Sequence, residues 1–483
     1  MLGRMLFAVE CAARKTDDFL TRHRLLFCAL LSALLSALLA VYNVSSGPLF
    51  NLNDIGGWNN RALFIVMTAF VHASMLMFCA LFSRVRFSRI ALRQVILTAG
   101  LFIMLLAINQ KAYVYVNVLQ PLVRAMDTGF AAGMRADAPL AAPARLLVYL
   151  ITRGPVYDMY LLKLFAVACY LFIALLITRA ADRSGLGIRA EALLALCMIL
   201  PQGFMNAACS AIPEIAAVAM LGLSLTLCFG MDKPRLLPGM AVYGVACALS
   251  GACLCALPAY LYLIAHKRIR YNHLLVPALV MLALCVPALI GGMPAGQAFA
   301  GLFEANLGMP AYAFGAPNVM NLIPRALVEE TPQYASTLRH LPQLDLQTHA
   351  QPFYTQEHFE LVMRGFALAG VAAYVGVCAL MRASQKDALS RVLTLVLAAL
   401  IVCPGVSSGA WLAADVLCLY AILAAPKLRL PACLVLFATM TSSSYPMTEE
   451  VMLPMVFAFA LCLAALCMLL DVIPMGKEEE THE

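Results

Sequence analysis

The chain has 483 residues, of which 63% are apolar and 12% are charged. A soluble domain has about 45–50% apolar and about 25% charged residues, so this composition excludes a soluble globular protein. The net charge of +7 comes without a folded basic patch, and we expect no nucleic-acid partner. A membrane span needs about 20 mostly apolar residues, and the chain has many such runs. The sequence therefore predicts an all-α, polytopic transmembrane helical bundle.

Residues 1–23 are predicted to be a cytoplasmic N-terminal segment, followed by one transmembrane domain over 24–471 and a cytoplasmic tail over 472–483. One apolar segment reads better as a pair of short helices than as a span, which leaves about twelve spans. The candidate helices cover about 24–43, 62–83, 94–109, 157–178, 190–207, 213–230, 238–265, 273–291, 361–382, 388–403, 410–425, 429–443 and 451–470.

Basic residues cluster in alternate loops, which is typical of the cytoplasmic side of a membrane protein. Together with the basic N-terminal segment, this pattern places both termini in the cytoplasm. The clusters include Arg84, Arg86, Arg89 and Arg93, then Arg179, Arg183 and Arg189, and later Lys233 and Arg235, Lys267, Arg268 and Arg270, Arg382, Lys386 and Arg391, and Lys427 and Arg429.

The segment 238–265 interrupts the alternation, because basic residues flank it on both sides. Gly251 lies near its middle and Pro258 in its second half. A single span here would invert every later loop. Two short helices that enter the membrane and return fit the charges better, provided that the irregular turn is buried in protein.

Two large loops, about 110–156 and 292–360, are then predicted to be extracytoplasmic. The first contains "QKAYVYVNVLQPLV", whose mixture of polar and apolar residues predicts an amphipathic helix in the interface. Glu214 follows Pro213 at the outer end of a helix. Proline in a first helical turn and an acid at a helix N-terminus are both favourable, so this pair predicts a helix start, compatible with Glu214 lining a polar cavity.

Four stretches are informative when they are taken in order: "RGPVYDMYLLKLFAVACYLFIALLITRAADRSG" (153–185), "LPQGFMNAACSAIPEIAAVAMLGLSLTL" (200–227), "GMAVYGVACALSGACLCALPAYLYLIAHKR" (239–268) and "PAYAFGAPNVMNLI" (310–323). Over about 110–325 they resemble the GT-C superfamily of membrane glycosyltransferases, and in particular bacterial mannosyltransferases that use polyprenyl-phosphate sugars. The second is similar to the family's acidic helix entry, with Glu214 at the acidic position. The third is similar to its short helix pair.

The resemblance implies sugar transfer from a polyprenyl-phosphate donor to a glycan or glycolipid acceptor, on the outer face of a bacterial inner membrane. It implies no cofactor. An acid of the first outer loop is the family's general base, but Asn109 and Gln110 stand at the corresponding place. The catalytic candidates are therefore other acids, namely Asp54, Glu214, Asp127 and Asp158. The candidates for binding the substrate are Lys111, Tyr113, Arg124, Arg153, Tyr157, Asn318 and Asn321.

Two alternatives stay open. The first is a non-catalytic relative that binds lipid or acts as a scaffold in an envelope-assembly complex, since several charged positions of the family are blank. The second is a transporter with a broken helix at 238–265, for which Asp415 is the main ionisable residue near mid-membrane. The 17 cysteines lie mostly inside apolar runs, where cysteine acts as a small hydrophobic residue, and neither they nor His340, His349 and His358 predict a metal site.

Overall fold

The computed structural model describes residues 2–45, 57–106, 115–137, 140–153, 158–201, 212–229, 234–265, 270–299, 411–442 and 454–472, with a few single residues between them. These residues form helices and turns and contain no strand. The chain divides into two compact units, residues 1–111 with 150–212 and residues 112–149 with 213–483. We call them the first and the second unit.

The described part of the first unit contains six helices, and the third of them extends further toward the N-terminus than predicted. They are α1 (Leu2–Arg22), α2 (Arg24–Ser45), α3 (Gly57–Phe82), α4 (Phe87–Leu106), α8 (Asp158–Arg183) and α9 (Arg189–Ile199). Helix α1 lies in the predicted N-terminal segment and caps α4: Thr21 Oγ1 accepts a hydrogen bond from the Phe87 amide at 3.0 Å, and Asp17 Oδ1 accepts one from the Ser88 amide at 2.9 Å. Two N-terminal amides of α4, which lack partners inside the helix, are thereby satisfied.

Helix α4 begins seven residues before the predicted segment 94–109. The difference has a physical cause. Arg89 and Arg93 were assigned to a polar loop, but both are on the helix, and Arg93 is buried against carboxylates that neutralise it. A charge that is paired and hydrogen-bonded can be buried, so these arginines do not end the helix.

The second unit begins with a π-helical turn, Tyr115–Leu119, and three short helices, α5 (Gln120–Asp127), α6 (Phe130–Arg135) and α7 (Ala142–Thr152), the last of which ends beyond the unit boundary. Its longer part contains α10 (Ile212–Phe229), α11 (Leu236–Leu249), α12 (Leu257–Ala265), α13 (Leu275–Ile290), α14 (Trp411–Ala424), α15 (Arg429–Ser442) and α16 (Pro454–Val472). Helix α5 buries Leu122, Val123 and Met126 and exposes Asp127, which matches the amphipathic pattern predicted there.

The predicted segment 238–265 is interrupted in the structure. Helix α11 ends before Ser250, whose backbone is extended (φ −150°, ψ 125°), and a 3-10 helix, Gly251–Ala256, leads into α12. The rings of Tyr243 and Tyr260 lie 4.4 Å apart between centroids. In a continuous helix these residues would be about 25 Å apart at 1.5 Å per residue, so the chain doubles back on itself.

Five helices among the described residues are long and apolar enough to cross a membrane; they span Arg24–Val44, Arg61–Phe82, Phe87–Leu106, Asp158–Arg183 and Tyr271–Ile290. Their outer faces are apolar. On α2, for example, Leu26, Leu30, Leu34 and Leu38 follow one another at four-residue spacing, and each is 57–61% exposed. A continuous exposed apolar stripe of this kind suits lipid rather than water. The number of twelve spans stays a prediction.

Candidate functional site

The described part of the second unit contains a cleft at the turn of the helix pair α11–α12. Ser250, Cys253 and Cys255 line it from the turn, and Val218 and Leu221 line it from α10. Apart from the Ser250 hydroxyl, the lining is apolar, so the cleft suits an apolar group with a polar end.

Glu214 lies in the first turn of α10, as predicted from the Pro213–Glu214 pair. It precedes Val218 by four residues, so both are on the same face of the helix. Glu214 is half-buried, and its carboxylate is close enough to Cys253 to interact electrostatically with it. Among the predicted site residues that the structure describes, Glu214 is therefore the only one with a carboxylate beside this cleft.

The wall behind the cleft is held by a chain of hydroxyl groups. Ser224 Oγ donates a hydrogen bond to the Gly239 carbonyl oxygen at 2.6 Å and lies 2.6 Å from the Tyr260 hydroxyl. Because a serine hydroxyl has one hydrogen, the Tyr260 hydroxyl donates to Ser224. This arrangement ties α10, α11 and α12 together and keeps the helix pair closed.

The other predicted site residues are dispersed. Arg124 and Asp127 are exposed on α5, in the second unit. No hydrogen bond or ion pair joins either of them to Glu214 within the part of the chain that the structure describes. Arg153 is exposed at the end of α7 and Asp158 is half-buried at the start of α8, both in the first unit. The remaining six, Asp54, Lys111, Tyr113, Tyr157, Asn318 and Asn321, lie outside the described residues.

Asp415, the residue considered for a transporter, is buried on α14. Its Oδ1 contacts the Thr439 hydroxyl of α15, whereas its Oδ2 has no hydrogen-bond partner among the described residues. Thr439 Oγ1 is also 3.0 Å from the Val435 carbonyl oxygen. With one protein partner in the described chain, Asp415 does not resemble the multi-ligand ion sites of transporters.

The sequence reading missed the largest charged cluster, which lies in the first unit. Arg93 donates hydrogen bonds from Nη2 to Asp182 Oδ1 at 2.6 Å and from Nη1 to Asp182 Oδ2 at 2.7 Å, and from Nε to Glu191 Oε1 at 2.9 Å. Arg89 donates to both oxygens of Glu191 at 2.8 Å. Two arginines four residues apart, with two acids near the next basic turn, are the signal that could have indicated it.

A second network that the sequence reading missed runs through α2, α3 and α4. His72 Nδ1 is 2.9 Å from Ser36 Oγ, and His72 Nε2 is 2.9 Å from Thr98 Oγ1. Thr98 donates its hydrogen to the Gln94 carbonyl oxygen at 2.8 Å, so the proton of the imidazole lies on Nε2 and Nδ1 accepts from Ser36. Both ring nitrogens are thus satisfied, which indicates a packing role.

No family model matches the chain, and neither does any curated protein or solved structure.

Proposed function

We propose that the chain is a multi-pass membrane glycosyltransferase of the GT-C type, which moves a sugar from a polyprenyl-phosphate donor to a glycan or glycolipid acceptor. The single observation that supports this most is the position of Glu214, in the first turn of α10 beside the cleft of the α11–α12 helix pair. An acidic helix entry next to a short helix pair is also what the sequence resemblance implies. The membrane is proposed to be a bacterial inner membrane.

In this proposal the carboxylate of Glu214 accepts the proton of the acceptor hydroxyl. The acceptor oxygen forms a bond to the anomeric carbon as the bond between that carbon and the donor phosphate oxygen breaks, and polyprenyl phosphate leaves. The apolar lining from Val218, Leu221 and Cys255 provides a surface for the first part of the donor's hydrocarbon chain, because burial of apolar area is favourable. Arg124, which belongs to the same unit as Glu214, is the candidate for binding the phosphate, since a guanidinium pairs well with phosphate oxygens.

The test is sugar transfer by the purified full chain in lipid, with a panel of polyprenyl-phosphate sugars. Glu214→Gln keeps the size of the side chain and removes the base, and we expect it to lower the rate on the order of 10²-fold or more. Asp18→Asn is the matched control, because Asp18 is exposed on α1. Asp54→Asn and Asp127→Asn test the other acids. If Glu214→Gln retains full activity while Asp54→Asn or Asp127→Asn loses it, the base is that other acid.

A second candidate function is a non-catalytic lipid-binding or scaffold subunit of an envelope-assembly complex. It is favoured by the lining of the cleft, in which the described residues supply the Ser250 hydroxyl and otherwise apolar groups, with no cation. Binding of the donor lipid to the wild-type chain, without transfer from any donor in the panel, would support this function over the transferase.

A further inference from the structure

The described part of the first unit contains two kinds of arginine near the ends of its helices. Arg89 and Arg93 contribute two positive charges that Asp182 and Glu191 balance with two negative ones. Arg84, Arg179 and Arg183 have no ion pair or hydrogen bond of their side chains to any of the residues that the structure describes. They are close enough to one another that Arg84 and Arg183 repel the charge on Arg179. Three like charges therefore lie together with no paired counter-charge among the described residues.

Arg179 lines a cleft between α3 and α8, and Arg84 and Arg183 are close enough to Arg179 to repel its charge. We call the three the rim arginines. The lining of the cleft includes polar groups from Arg179, the paired Arg93, Ser83 and Thr178. Phe78, Phe82 and Leu175 line it with apolar groups, which we call its apolar floor. The guanidinium carbon of Arg179 lies 4.9 Å from the ring centroid of Phe82. Phe82 in turn stacks on Phe78, with 4.0 Å between ring centroids. The aromatic pair supports one face of the guanidinium and leaves its N–H donors free for a ligand.

The charge cluster and the apolar floor together specify the ligand. A phosphate accepts hydrogen bonds from guanidinium and hydroxyl donors and supplies the missing negative charge. Beside the cleft, Leu81 is 57% and Phe82 is 43% exposed, so the apolar floor continues onto the apolar outer face of α3. A free phosphate ion does not use that surface, whereas the acyl chain of a lipid does.

We propose that this cleft, lined by Arg179 with Arg84 and Arg183 near that side chain, binds the phosphate of an anionic phospholipid whose acyl chain lies along α3. The site is distinct from the Glu214 cleft and does not depend on the proposed transferase activity. Basic residues next to a membrane surface attract anionic lipids. Here the aromatic support of Arg179 and the adjoining cleft make the attraction local to one site.

The test measures the rise in unfolding temperature of the purified full chain in a neutral detergent as phosphatidylglycerol is added. Phosphatidylcholine, whose phosphate is neutralised by its choline, and inorganic phosphate are the two comparison ligands. The Arg179→Gln/Arg183→Gln double variant removes two rim charges. Arg86→Gln/Arg189→Gln is the matched control, because these two arginines are exposed and close in sequence to Arg84 and Arg183. They neither line the cleft nor belong to the charges that act on Arg179.

We expect phosphatidylglycerol to stabilise the wild type and the control variant equally. In the rim variant the concentration needed should increase on the order of tenfold, since each basic residue adds a comparable share to the attraction. An equal loss in both double variants would show general surface attraction and overturn the proposal. Equal stabilisation by phosphatidylcholine, or by inorganic phosphate alone, would overturn it as well.

Half-buried Arg179 could also support the fold, so a second variant uses exposed side chains alone. Arg84→Gln/Arg183→Gln keeps Arg179 on Phe82 and should still weaken the response to phosphatidylglycerol several-fold. An unchanged response in this variant, together with a fold intact by size-exclusion chromatography, contradicts the site.

Discussion

In the first unit a buried arginine, Arg93, is surrounded by two carboxylates and a serine hydroxyl, whereas in the second unit the buried Asp415 has one hydroxyl beside it. The first unit also satisfies both nitrogens of its buried His72. Buried polar atoms with no partner in the described chain occur in both units: Asn43 Oδ1 and Gln94 Oε1 in the first, and Asp415 Oδ2, Trp411 Nε1 and the Tyr243 hydroxyl in the second. The contrast is therefore between the paired charge of Arg93 and the charge of Asp415, which has no described counter-charge. A buried network in which every donor and acceptor has a partner holds its helices in one arrangement. A buried polar group without a partner lowers the stability of the fold.

This difference indicates which charged residues are available for function in each unit. In the first unit the charges of Arg93, Asp182 and Glu191 are used in joining α4, α8 and α9, so they are structural. The proposed phosphate contacts come instead from the rim arginines. In the second unit the helices join mainly through apolar and aromatic contacts around the α11–α12 turn. That leaves Glu214 with no ion pair among the described residues, as a base that must accept a proton requires.

The largest effect is expected for Arg93→Leu. After this substitution Arg89 is the one cation among the described residues that still pairs with the carboxylates of Asp182 and Glu191. Breaking a buried ion pair by removing one partner is destabilising by about 3–5 kcal/mol. Unfolding by denaturing detergent measures the loss, with Arg84→Leu as the control because Arg84 is exposed. Equal stability of the two variants would show that the cluster does not hold the first unit together.

The next prediction compares the same chemical change in the two units. Asp182→Asn places an amide donor against the donors of Arg93 and should destabilise by about 1.5–3 kcal/mol. Asp415→Asn should change stability by less than about 1 kcal/mol. The new amide donates to the Thr439 hydroxyl, whose own hydrogen can then go to the Val435 carbonyl oxygen instead of to residue 415. Both are measured by the same unfolding assay. An Asp415→Asn loss as large as that of Asp182→Asn would indicate a bound cation at Asp415.

A third prediction concerns backbone packing in the second unit. A Cβ at Gly244 would lie 2.7 Å from the carbonyl oxygen and 2.8 Å from the Cα of Pro277, both of which are backbone atoms of α13 that cannot rotate away. Gly244→Ala should therefore force α11 and α13 apart and destabilise by about 1–3 kcal/mol. Gly296→Ala is the control, since nothing lies within 4 Å of its added Cβ. Similar unfolding curves for the two variants would contradict the close contact.

Much of the helical architecture could be predicted from the sequence. Long apolar runs give the position of a helix within a few residues, and the charges on both sides of 238–265 indicated the helix pair, because basic residues favour one side of the membrane. The start of α4 was misplaced because the same rule treats every arginine as solvated. The rule does not consider whether acids far away in the sequence neutralise an arginine. Here Asp182 and Glu191, about ninety residues further along the chain, neutralise Arg89 and Arg93.

The candidate site could be predicted only in part. The Pro213–Glu214 helix start has a local signal and was found. The cleft beside it depends on Cys253 and Cys255 returning against α10, a contact between distant segments that no local pattern encodes. The His72 network escaped notice for a related reason: one histidine in an apolar run gives no indication of which hydroxyl groups the neighbouring helices bring to it.

The smallest effect is expected in the His72 network. It measures how much the hydrogen bonds of His72 contribute to the stability of the first unit. Ser36→Ala removes the donor to His72 Nδ1, and Thr98→Val removes the acceptor from His72 Nε2. Hydrogen bonds between membrane helices contribute about 0.6 kcal/mol on average, so each variant should lose about that much in the unfolding assay. Because both substitutions act on one imidazole, the double variant should lose less than the sum of the two. Strict additivity would show that the two hydroxyl groups do not share His72.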